Sequence, residues 1–269
     1  SFHTCVGDDD EGEEVIKELS SYGIETANII TVPDWETLTK IRFYGSRESL
    51  LDRDQILLQA DRGPNANLDE NVSELLTNTA FGELKESCAL VISDYDKGVV
   101  TREGAQSLIT LAKEIGIPSI VDPKLTGLEK SKGATIVIFE KRGLSLLARR
   151  MDTEDEDEAA RILIDDYSWQ GILVLGGING VHLFQRDSES VHFPCMAPLA
   201  EQQIGMHDAA AASLAAALGS GLSLFDAAIL ASAACECVLS ASTSQEYIDR
   251  ATLGLWLDEL SWQMRISDR

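Results

Sequence analysis

Apolar and polar positions along this chain switch between a helical and a strand-like period. Val15, Ile16 and Leu19 lie at helical spacing within residues 11–22, behind an acidic start and ahead of Gly23, so the stretch predicts a helix. Ile29, Ile30 and Val32 read as a strand. From Thr37 to Asp52, Leu38, Ile41, Phe43, Leu50 and Leu51 flank the turn-like Gly45-Ser46, a hairpin pattern that can stand apart from the main sheet. Residues 89–93 then predict a buried strand, 102–115 a helix, and 117–121 and 134–139 two more strands. The acidic run Asp152 to Glu158 leads into a helix over 159–167, acid first as the helix dipole favours. Residues 171–175 and 181–184 read as strands joined by the tight turn Gly176 to Gly180. The last third predicts helices over 209–218 and 223–239, parted by Gly219-Ser220-Gly221.

Strands that alternate with helices imply a parallel sheet covered on both faces, hence an α/β fold. Ligands of such sheets sit at the carboxyl ends of the strands, which draws attention to Asp94, Asp122 and the segment after Phe139. With 269 residues, one large domain spanning 1–269 is the expected organisation.

Composition narrows the function classes. The chain has 22 Lys plus Arg against 45 Asp plus Glu, a net charge of −23, which disfavours nonspecific contact with nucleic acid or an anionic membrane. No apolar stretch is long enough to span a bilayer, and Ser1-Phe2-His3 shows no signal peptide. Five scattered cysteines, odd in number, fit a reducing interior better than a disulfide framework or a zinc site. That reads as cytoplasm, with an organellar matrix or stroma as the alternative. The carboxylate run at 152–158 reads as a solvated helix start, and no metal site is assigned.

The candidate chemistry centres on Gly205-Met206-His207-Asp208, which opens the alanine-rich run from Ala209. Phosphoryl transfer to a hydroxyl needs a base and preorganised donors around the phosphates. A glycine turn feeding a helix N-terminus supplies such donors, and Asp208 stands where a base would. Structural readings stand beside these: Asp208 as an N-cap, Asp122-Pro123-Lys124 as a rigid turn, Asp94 and Lys97 as loop contacts, Cys235 and Cys237 as core fillers.

The segments Ser93-Asp94-Tyr95-Asp96-Lys97-Gly98, Asp122-Pro123-Lys124, Asn179-Gly180 and Gly205 to Asp208, in this order, resemble the ribokinase (PfkB) sugar-kinase family. Within it the chain is most similar to the kinase domain of the bacterial bifunctional heptose 7-phosphate kinase and adenylyltransferase, and Gly7-Asp8-Asp9 with Thr37 to Arg42 fits the same template. The resemblance implies a three-layer α/β/α sandwich with a small β lid, to which residues 29–53 contribute, and an N-terminal part that is missing. It also implies ATP and Mg2+ as cofactors of an active enzyme, Asp208 as base, Gly205 to His207 as anion hole, and Asp94, Lys97, Asp122, Lys124, Glu140, Asn179 and Gly180 on the nucleotide or substrate side.

The departures fall on that same machinery. Ile204 replaces the family's threonine and His207 its second glycine, where a Cβ at φ > 0 is expected to strain the turn and the ring to crowd the phosphate. Glu140 and Gly143 stand for an Asn and a Glu that organise magnesium and phosphate, and Leu175-Gly176 for a polar Thr-Arg. The expectation is a catalytically degenerate homologue that serves as a structural or scaffolding subunit, meeting protein partners or a second copy through the lid or surface. The alternative is an active ATP-dependent sugar kinase of the heptose-phosphate type, with Asp208 as base.

Overall fold

A computed structural model describes residues 1–45, 55–64, 68–197, 204–241 and 248–267. The chain divides into two compact units, one of residues 1–83 and 96–104, the other of residues 84–95 and 105–269.

In the first unit, β1 (Thr4–Gly7) pairs in parallel with β2 (Ile29–Val32). The intervening helix α1 (Asp10–Ser21) is capped by Asp9, whose carboxylate also accepts from the backbone N–H of Thr37 at 2.8 Å and its hydroxyl at 2.6 Å. The same hydroxyl oxygen accepts from Gly7 N–H, so the Gly7-Asp8-Asp9 motif is a structural knot between strand, helix and returning loop. These bonds hold the Asp9 carboxyl below the usual range, Thr37 contributing most. Antiparallel β3 (Thr39–Gly45) and β4 (Gln55–Arg62) form a separate two-stranded sheet, the expected hairpin. Its second strand is described from Gln55, and Leu50 and Leu51 lie outside the described residues. β2 belongs to the pair with β1 and not to the hairpin. Helix α2 (Glu70–Glu83) completes this unit.

The second unit is built on a six-stranded sheet in the order β10-β9-β8-β7-β6-β5. β5 (Leu90–Ser93), β6 (Ser119–Asp122), β7 (Ile136–Glu140) and β8 (Gly171–Leu175) run parallel; β9 (Val181–Gln185) and β10 (Val191–Phe193) are antiparallel additions. Strand alternation divides the apolar residues between two buried faces. Ile136, Ile138, Leu173, Leu183 and their neighbours pack on α6 (Met206–Gly219) and α7 (Leu224–Ser240). Val137, Phe139, Ile172 and Val174 face the other way and are equally buried, on the side of α4 (Lys141–Arg150) and α5 (Glu156–Asp166). Helix α3 (Arg102–Ile115) precedes β6, and α8 (Arg250–Ser267) follows α7. Trp169 is fully buried beside Phe139 and stacked on Tyr167, its indole N–H donating to Ser131 C=O at 2.8 Å. The three-layer α/β/α arrangement expected from the sequence is therefore present, and the parallel strands deliver their carboxyl ends to one edge.

Candidate phosphate site

Asp122 ends β6, Glu140 ends β7, and α6 begins beside them. Its N-cap is Gly205, at φ 89°, a left-handed conformation that glycine adopts readily. Met206, His207 and Asp208 then form the first helical turn. Two expectations are corrected here. Asp208 is not the N-cap, because the helix starts two residues before it. His207 has helical backbone, and the left-handed burden falls on Gly205 alone, so the imidazole carries no backbone strain. Its effect is occupancy and charge.

The ring of His207 stands between two carboxylates. Nδ1 donates to Asp122 at 3.1 Å, while Nε2 lies 3.6 Å from Glu140. Burial opposes charge on the ring, but the Asp122 hydrogen bond and charge, with Glu140 and Asp208 behind them, outweigh it and raise the imidazole pKa above its ordinary value. Nε2 itself is buried and makes no hydrogen bond. Asp208 is pushed upward by burial and then by Asp122, with His207 opposing. Tyr95 extends the cluster: burial, Asp208 and Asp122 push its phenol up, and Lys124 Nζ lies 4.9 Å over its ring.

A cleft of about 190 Å³ opens beside His207, lined also by Glu140, Lys141, Arg142, Gly176 and Asn179. Asn179 ends the turn between β8 and β9, and its carbonyl accepts from His192 Nε2 at 2.8 Å. Gly180 follows at φ 81°, where a Cβ would collide with the Phe193 carbonyl. The glycine there is dictated by close packing as well as by φ.

Two candidates have other occupations. Asp94 is buried, its side chain 2% exposed, and pairs with Lys130 at 2.8 Å. Lys97 belongs to the first unit, where its charge helps lower the Asp61 carboxyl behind the larger effects of Lys40 and Gln59. Gly143 is buried in α4 near Leu125, outside the cleft lining.

Sequence reasoning passed over Tyr95, Lys141 and Arg142, and also Glu236. The last is 2% exposed in α7, among residues read as apolar core, yet its carboxylate accepts from Met196 N–H at 2.6 Å and Ala197 N–H at 2.8 Å. It thereby ties down residues 195–197, just after β10. A lone carboxylate inside an alanine-rich helix was the available signal.

The residues present do not fit Mg-ATP as a kinase holds it. The imidazole stands at the first turn of α6 between Asp122 and Glu140, and Glu140 brings a carboxylate that repels a nucleotide phosphate.

Comparison with known proteins agrees with the fold. The model of the pfkB family carbohydrate kinases matches residues 1–250. The chain is 33% identical over 264 residues to the bifunctional protein HldE of Paramagnetospirillum magneticum, covering 97% of this chain and 53% of that protein. It is 32% identical over 231 residues to HldE of Salmonella newport, covering 85% and 46%. The chain thus spans about half the length of the curated relatives it matches. Ribokinase of Thermotoga maritima superposes with TM-score 0.73 at 21% identity, covering 96% of this chain and 80% of that one. Arabidopsis thaliana ribokinase, solved with ribose and ATP, gives 0.71 at 17%, covering 95% and 81%. With the strand order, the Gly205 turn and the family match in agreement, this chain belongs to the pfkB family of carbohydrate kinases.

Proposed function

We propose that this chain is a carbohydrate-kinase homologue that has given up phosphoryl transfer and serves as a structural subunit of a larger assembly. The observation that carries the reading is the His207 ring, pinned between Asp122 and Glu140 at the helix N-terminus that would otherwise present backbone N–H groups to a nucleotide phosphate. Preorganised donors and positioning supply nearly all of the catalysis in phosphoryl transfer, so this exchange strikes the largest contribution. An assembly role draws support from the β3–β4 hairpin, which exposes Phe43, Tyr44, Leu57 and Leu58, with Leu57 at 72%.

One observation favours a second reading, an active sugar-phosphate kinase. Burial and the Asp122 charge raise the Asp208 pKa, which makes its carboxylate a stronger proton acceptor, as suits a general base. A single assay separates the two: Mg-ATP-dependent phosphorylation of heptose and hexose phosphates by the native chain and by Asp208→Asn. No turnover by the native chain is expected. Turnover that disappears in Asp208→Asn would overturn the proposal.

A further inference from the structure

A cluster of unpaired cations sits on the outer face of α4. The buried positions of this helix, Gly143, Leu144, Leu147 and Ala148, turn toward the sheet and α5. The 3.6-residue period then sends two rows outward, Lys141, Ser145 and Arg149 in one and Arg142, Leu146 and Arg150 in the other. All four cations are exposed, and among the described residues none of them makes an ion pair.

Helix stability does not account for this arrangement. Arg149 and Arg150 suit the negative C-terminal end of the helix, but Lys141 and Arg142 occupy its first turn, where the macrodipole disfavours cations. α1, α5 and α7 place carboxylates in that turn instead. Pairs at i,i+4 spacing do not account for it either, because no residue of α4 is acidic. Solubility is served in the opposite sense: in a chain of net charge −23, each added cation lowers the charge that keeps molecules apart.

The face is short. Each row joins two cations eight residues apart, a span of about 12 Å. Carboxylates border it at both ends, with Glu140 before Lys141 and exposed Asp152, Glu154 and Asp155 after Arg150. A nucleic-acid strand or an anionic bilayer running past the four cations would meet these carboxylates, whereas a segment that places its charges within about 12 Å would not. Leu146, 41% exposed between Arg142 and Arg150, adds an apolar spot inside the charged rows.

We propose that the outer face of α4 docks an acidic helix of a partner protein, one with two pairs of carboxylates about two turns apart and an apolar side chain between them to cover Leu146. The inference rests on the assembly role proposed above and gives the partner a chemistry. A single helix face lies at the low end of interface size, below about 1,200 Å² in total, so the contact is reversible and salt-sensitive.

The probe is a capped, fluorescein-labelled, alanine-based helical peptide with two Glu-Glu pairs eight positions apart and a Leu midway, titrated with the full chain and followed by anisotropy. Binding is expected at about 0.05 M NaCl and should weaken about tenfold by ~0.5 M. Arg149→Glu with Arg150→Glu should weaken it about tenfold or more, because two attractions become repulsions. Leu146→Gln should cost about three- to tenfold and keep that effect at high salt, unlike a purely ionic contact. Lys17→Glu with Lys113→Glu changes the net charge equally at exposed sites elsewhere and should leave the affinity within about twofold. If the charge reversal at Arg149 and Arg150 fails to fold by circular dichroism, Arg149→Gln with Arg150→Gln takes its place and should lose several-fold. No binding at low salt, an equal loss in the Lys17 and Lys113 control, or no effect of Leu146→Gln would overturn the inference. Tighter binding of single-stranded DNA or phosphatidylserine vesicles, lost on the Arg149 and Arg150 reversal, would overturn it in favour of a polyanion. Self-association in sedimentation velocity that the same reversal abolishes would make a second copy the occupant and overturn it as well. All of these results leave the loss of transfer standing, whereas Mg-ATP turnover overturns that reading whatever the peptide does.

Discussion

Replacing Glu236 by Ala removes a buried carboxylate that accepts two backbone N–H groups, from Met196 at 2.6 Å and Ala197 at 2.8 Å. Each buried donor left without a partner costs about 1–3 kcal/mol. Against this stands the relief of no longer desolvating a carboxylate, which recovers part of the loss, so the net destabilisation should be about 2–4 kcal/mol. For a chain of this length, roughly 2–4 °C per kcal/mol applies, which gives a fall in melting temperature of about 5–15 °C. Glu236→Gln keeps one acceptor oxygen and should lose about half as much. Scanning calorimetry gives the global number, and amide exchange at Met196 and Ala197 shows whether the loss is local to the tether. An Ala variant that melts within about 2 °C of the native chain, with both amides still protected, would refute the reasoning.

Three further outcomes follow from the same geometry. The folded-state pKa of His207 is raised, so its pairs with Asp122 and Glu140 contribute stability fully below the unfolded value near ~6.5 and lose it as pH rises through the folded pKa; the melting difference between native chain and His207→Gln should be largest in mild acid and vanish in alkali. Asp9→Ala breaks the cap of α1 and the bonds to Thr37 and should cost about 2–3 kcal/mol by urea denaturation; since the Asp9 pKa is depressed, that advantage is present above the unfolded value near ~3.9 and fades as pH falls through the folded one. Gly205→Ala meets open space and should cost only about 1 kcal/mol for its positive φ, whereas Gly180→Ala adds a collision with backbone and should cost clearly more, a ranking that thermal melts can check.

The central strands were legible because 136–139 and 172–175 are short continuous apolar runs, the mark of a strand buried on both faces. β5, expected to be a buried strand, instead alternates buried and exposed positions, with Val91 42% exposed, because one of its faces is less covered. Helix α4 was passed over although Leu144, Leu147 and Ala148 form a narrow buried stripe, since Gly143 and four basic residues dilute it. Helix α2 buries only Ser73 and Leu76 among its described positions of note, too little periodicity to read. β10 is three residues long. In the site, Asp122, Glu140 and Asp208 were identifiable as residues at strand ends and a helix start, but their common engagement of His207 was not: His207 and Asp122 are 85 positions apart, and only the fold joins them. Glu236 reaches its partners across 39 and 40 positions; its place inside an apolar helix marks it as unusual, but only the fold shows which backbone groups it meets. The strain assigned to His207 was wrong because the positive φ sits at Gly205, two residues earlier.

The exposed apolar edge of the β3–β4 hairpin belongs to a chain with a net charge of −23. Copies of such a molecule repel one another over roughly 10 Å at 0.1 M salt, and over about a third of that at 1 M. The hairpin's attraction is apolar and outlasts the screening. Charge therefore acts as a colloidal spacer that ionic strength removes, and contact through Phe43, Tyr44, Leu57 and Leu58 would strengthen on adding salt, the reverse of an interface held by ion pairs.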